Sequence, residues 1–127
     1  MSISVEVIDV AIELDKAGLI WHPEIGDEIA MRESLERVSI LVDPQGMTPR
    51  DLRHTFLWLP TVEQLVQQFE ARQAMLYHAG LNQGLSYEVV VKTPTQGLIE
   101  TVASSLRIAC GRALNQLLTM PESAPIH

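Results

Sequence analysis

Leu85-Ser86-Tyr87-Glu88-Val89-Val90-Val91-Lys92 is the stretch on which the fold reading turns. Valine and tyrosine suit a pleated, half-buried surface, so this run predicts a strand. Thr93-Pro94-Thr95 breaks it. Thr95 is placed to cap a last helix over about 96–119. In that helix Leu98, Ile99, Val102, Leu106, Ala109, Cys110, Ala113 and Leu117 fall on one side.

Upstream of the strand, Leu81 to Gly84 reads as a loop. Before it, Thr61-Val62-Glu63-Gln64 has the reciprocal capping pattern of a helix start. Val62, Leu65, Val66, Phe69 and Leu76 supply the apolar face of a helix running to about Ala79, with Gly80 as its stop. Arg53 to Leu59 predicts an aromatic-rich strand that Pro60 ends, with Phe56 and Trp58 on one face. Thr48-Pro49-Arg50-Asp51 predicts a single capped helical turn. Asp43-Pro44-Gln45-Gly46 is a turn, and Arg37 to Asp43 alternates like a strand. Glu28 to Met31 reads as the start of a short strand. At the start, Val5, Ile8, Ala11 and Ile12 recur at helical spacing over residues 4–17, with Ser4 as cap and Gly18 as stop.

The order is α-β-β-β-α-β-α. Sequential strands with helices at the ends predict an α+β fold: a three- to four-stranded, mostly antiparallel sheet with about three helices packed on it. One such domain is expected over 1–120, with 121–127 a disordered tail carrying Pro121 and Pro125.

The 127 residues are 46% hydrophobic and 20% charged, with a mean hydropathy of +0.12. The polar surface is therefore thin, and a homo-oligomer, with a dimer favoured, is the expected state. Cys110 stands alone, which excludes an internal disulfide or a cysteine zinc cluster and suits a reducing compartment. Met1 to Glu6 has no basic, then apolar, leader pattern, and no run approaches the roughly 18 apolar residues of a membrane span. A cytoplasmic location and no membrane contact are expected.

The net charge is −7. Residues 1–43 hold Lys16, Arg32 and Arg37 against ten carboxylates, whereas 44–127 hold six bases and six acids. The whole excess lies in the first third. Such a surface repels phosphate backbones, so nucleic acid is not an expected partner, while a basic protein partner is compatible.

Several groups merit attention for chemistry. His22, Glu24, Asp27 and Glu28 place an imidazole and three carboxylates within one short segment, a set that suits a divalent cation or an acid–base pair. Their spacing matches no established ligand pattern, and a solvated acidic turn anchored by Trp21 is the other reading. Arg53 and His54, with Arg50, are suited to a carboxylate or phosphate, or to a helix-end ion pair. Trp21, His54 and Trp58 are candidates for a ligand pocket; aromatic core is the alternative. On the last helix Ser104, Ile108, Gly111 and Asn115, with Leu118 beside them, form a second face fit for an interface. Cys110 lies mid-helix among apolar residues, where a thiol is inert.

No nucleotide-binding glycine loop and no nucleophile elbow are present. No cofactor is expected. The reading is a non-catalytic binding or assembly module acting as a homo-oligomer. A small metal-assisted hydrolase using His22 to Glu28, or a small-ligand carrier using the Trp21/Trp58 region, are the alternatives.

Overall fold

The computed structural model describes residues 4–120 and places them in two compact units, one running to Thr61 and the other starting at Val62. The architecture is α+β with antiparallel strands throughout. Among the described residues there are six strands, in two sheets of three, and four helices. The expected order is kept, with one helix and two strands added. The predicted tail, 121–127, lies outside the described residues.

In the first unit, α1 spans Val5–Lys16. The Ser4 hydroxyl accepts from the Val7 amide, as its capping role requires. At the other end Gly18 adopts φ +98°, a left-handed position that a Cβ would strain. There the Leu19 amide donates to the Leu14 carbonyl and the Gly18 amide to Asp15, closing the helix with paired backbone bonds. This turn delivers Leu19 and Trp21 to the core.

Strands β1 (Glu28–Met31) and β2 (Ser34–Ile40) form a hairpin with an irregular register after Ala30. Helix α2 (Pro49–Thr55) follows, then β3 (Phe56–Trp58), which pairs with β1. The sheet order is β2-β1-β3. Pleating sends Ala30 and Leu57 to one face, where they pack with Ile8, Ala11 and Leu59. Ile29 goes to the other and packs with Trp21, Leu41 and Leu52, backed by Phe56 and Trp58. Arg53 to Thr55 were expected in the strand but belong to α2. The Thr48 hydroxyl and Asp51 carboxylate cap its first turn reciprocally, and the helix runs on to Thr55 before Phe56 turns extended.

In the second unit, α3 spans Val62–Ala71, not 62–79. The stop comes early because Gln73 takes the left-handed position at φ +60°. The Ala74 amide donates to Phe69 and the Gln73 amide to Glu70, the bonding that ends α1 at Gly18. Gly80, the expected stop, instead sits within β4 (Met75–Leu81), paired with Glu88. β5 (Tyr87–Lys92) is central, and β6 (Leu98–Ala103) completes the order β4-β5-β6. Residues 98–103 were expected to be helical. Ile99, Thr101 and Ala103 are buried while Leu98, Glu100 and Val102 are not, the period of two of a strand. Thr95 lies in the β5–β6 hairpin, where the Thr93 amide donates to the Gly97 carbonyl.

Helix α4 (Leu106–Thr119) is capped by Ser105 and packs on α3, β5 and β6. Ala109, Cys110, Gly111 and Ala113 keep its buried side small, and the Thr101 hydroxyl reaches the Ala109 carbonyl at 2.8 Å. No helix among the described residues is long and apolar enough to cross a membrane.

Burial pushes the Cys110 thiol from an ordinary 9.0 up to about 11. The folded state therefore favours the neutral thiol. Its contribution to stability is complete below pH 9.0 and is lost as pH rises to about 11. The expected loss is roughly 1.4 kcal/mol per pH unit inside that window. Urea unfolding at pH 8 and at pH 10.5, compared with Cys110→Ala, isolates the thiol from other alkaline titrations. The alanine variant is expected to show the smaller alkaline loss.

Candidate functional site

Three segments of the first unit line a half-open cavity of about 240 Å³. The end of α1 and its turn contribute Ala11, Leu14, Asp15, Leu19 and Trp21. The β1–β2 turn contributes Arg32, and the α2–β3 junction contributes Arg53, Leu57 and Trp58. The walls are mostly apolar and the polar groups lie together.

Those polar groups are held by long-range contacts. Arg32 donates through Nη1 and Nη2 to the two carboxylate oxygens of Asp15, at 3.2 and 3.3 Å, and through Nε to the Arg53 carbonyl at 2.8 Å. Arg53 donates through Nε to the Trp21 carbonyl at 2.7 Å. One chain of bonds thus ties α1, the hairpin turn, α2 and the Trp21 segment around the cavity. Arg53 Nη1 and Nη2 have no hydrogen-bond partner among the described residues. Trp58 Nε1 is buried and likewise has none there.

Trp21 is fixed from behind. Its indole Nε1 donates to Asp27 Oδ2 at 2.8 Å, and the Glu24 amide donates to the same oxygen at 2.9 Å. Asp27 is only 6% exposed. The Asp27 amide donates back to the Glu24 carbonyl, and the Gly26 amide, at φ +100°, donates to Leu41. The acidic segment is a closed turn that serves as a bracket for Trp21.

This arrangement disperses the metal candidates. His22 and Glu24 are exposed, Asp27 is turned inward to Trp21, and Glu28 is half-buried on β1. No group of three or more histidine, cysteine or carboxylate side chains is placed to hold a metal ion among the described residues.

Of the pocket candidates, Trp21 and Trp58 are brought together in the cavity. His54 is exposed, and with Arg32, Arg50 and Arg53 it lines an open groove that shares both cavity arginines. Neither Arg50 nor Arg53 has a carboxylate partner among the described residues. An overall acidic chain thus carries a local basic cluster at the mouth of its cavity.

The interface candidates on α4 are placed otherwise. Ile108 and Gly111 are buried by the chain itself, Asn115 and Leu118 are half-buried, and Ser104 is exposed before the helix begins. With 98–103 in a strand, both flanks of the short helix are needed for packing. Ile108 is not an outward knob.

Asp15 and Arg32 escaped the sequence reading. Their pairing spans 17 residues and the Arg32–Arg53 contact 21, and no local spacing signals either. No protein family, curated protein or solved structure matches this chain.

Proposed function

We propose that the protein is a non-catalytic binding module whose first unit takes a small molecule in the cavity between Trp21, Trp58 and Arg53. The observation that carries this reading is a preformed apolar cavity with an unpaired guanidinium end at its rim. Small-molecule sites combine these features, an apolar lining and a few fixed polar groups. The arginine network and the Asp27 bracket hold the walls without a ligand, which lowers the ordering cost of binding.

Both tryptophans of the chain line this cavity, so emission reports on it directly. A screen of single-ring acids, amides and amines is expected to contain compounds that shift Trp emission and raise Tm. At about a hundredfold excess over Kd the stabilisation amounts to about 2.7 kcal/mol. A screen in which no compound moves either signal overturns the reading.

Assembly is a second reading, favoured by one observation. β4 is a sheet edge carrying exposed Met75, Tyr77 and Leu81, with Tyr77 at 66% exposure. Unpaired edges with apolar side chains invite pairing with another strand. A homodimer formed there is expected to appear by light scattering and to dissociate in Tyr77→Lys. A clean monomer at high micromolar concentration argues against it. A cytoplasmic location accords with the single buried thiol. The acidic excess of residues 1–43 is compatible with a basic protein partner and unfavourable to nucleic acid.

A further inference from the structure

We infer that the ligand of this cavity is a carboxylate monoanion with an apolar body of about one ring, its carboxylate on Arg53 and its body against Trp21, Trp58, Leu14, Leu19 and Leu57. The inference rests on the reading of the cavity as a ligand site and adds the chemical class.

Size comes first. The volume of about 240 Å³ exceeds the ~150 Å³ that accommodates benzene and falls below the ~300 Å³ where drug-sized pockets begin. A single ring with a short acidic arm is the scale that fits.

Charge decides the head group. Among the described residues Asp15 is the one carboxylate lining the cavity, and both its oxygens accept from Arg32. That pair is closed on itself. Arg53 is oriented by its Nε bond to Trp21, which leaves its Nη ends as donors awaiting an acceptor. A guanidinium held in place presents a planar pair of donors to a carboxylate. A cationic head would meet Arg53 with like charge. A neutral apolar ligand would remove water from Arg53 and return no acceptor. Arg50 and His54, in the adjoining groove, add positive potential on the approach side.

The apolar walls decide the body. Inorganic phosphate could sit in the open groove but would leave the walls of Leu14, Leu19, Leu57 and the two indoles uncovered. Burial of apolar ligand surface supplies the rest of the affinity.

The test titrates the full chain with 3-phenylpropionate, with its neutral isostere 3-phenylpropionamide and with inorganic phosphate, following Trp emission and heat. The acid is expected to bind about tenfold or more tightly than the amide, the scale of a hydrogen bond to a charged group. Phosphate is expected not to displace it. In Arg53→Gln the acid and amide are expected to bind within about twofold of each other. Arg53→Lys keeps the charge without the fork and is expected to fall between. The comparison of acid with amide in the unaltered chain needs no variant, so an unfolded variant does not spare the proposal. Equal binding of acid and amide overturns the ligand class and leaves the cavity as a site. Displacement of the acid by phosphate at equal affinity overturns the apolar body. Failure of the acid to bind overturns this inference, while the cavity reading falls only if the wider screen of acids, amides and amines is also silent.

Discussion

Asp27→Ala is expected to destabilise the first unit by about 2–4 kcal/mol, because it leaves a buried indole donor and a backbone amide without their shared acceptor. Asp27 Oδ2 accepts from Trp21 Nε1 and from the Glu24 amide, and the residue is almost fully enclosed. The Trp21 indole cannot turn to water without leaving its contacts with Ile29, Leu41 and Leu52. Asp27→Asn keeps the shape and one acceptor but gives up the charge, and about half of the loss is expected from it. Urea unfolding followed by tryptophan emission reads this unit specifically, since Trp21 and Trp58 both lie before Thr61. A loss below about 0.5 kcal/mol would show that the bracket does not hold Trp21. The same variant bears on the cavity, because Arg53 is oriented by the Trp21 carbonyl.

The second large effect belongs to the other unit. Phe69→Ala is expected to cost about 3–5 kcal/mol, the range for truncating a fully buried aromatic side chain. Phe69 is 0% exposed on α3, and its carbonyl accepts from the Arg72 and Ala74 amides that end the helix. Its side chain is among the largest of the fully buried ones, so its loss opens a void that α3 and α4 close only in part. Tyr77 and Tyr87 both lie in this unit, so tyrosine emission under urea follows it. Phe69→Leu, which refills most of the volume, is expected to recover more than half of the loss. A Phe69→Ala variant within about 1 kcal/mol of the parent chain would contradict the burial.

Where the local signal and the final structure agree, the residues settle the matter among near neighbours. Ser4 and Gly18 bound α1, Thr48 and Asp51 cap α2, and three valines hold β5. The departures have specific causes. A left-handed glutamine, Gln73, ended α3 where a glycine was sought at Gly80. Leu98, Ile99 and Val102 satisfy a helical spacing as well as a strand's, and pairing with β5 decided between them. That decision also moved the start of α4, and with it the burial of Ile108 and Gly111.

The candidate site divides along the same line. Trp21 and Trp58 are legible as pocket residues and Arg53 as a carboxylate or phosphate binder, whereas His54, expected beside the tryptophans, lies exposed in the adjoining groove. The acidic cluster of His22 to Glu28 is legible only as composition, and the one buried carboxylate among the described residues, Asp27, is spent on an indole and a backbone amide.

Residue order alone determined the α+β class, the caps of α1 and α2, the central strand and the placement of excess negative charge, because each depends on side chains within a turn or two of one another. Tertiary structure alone decided that six strands form two sheets, that Asp15, Arg32 and Arg53 meet at one cavity, and that Asp27 faces Trp21. Those outcomes depend on which distant segments exclude water together, and no short window of sequence carries that free energy.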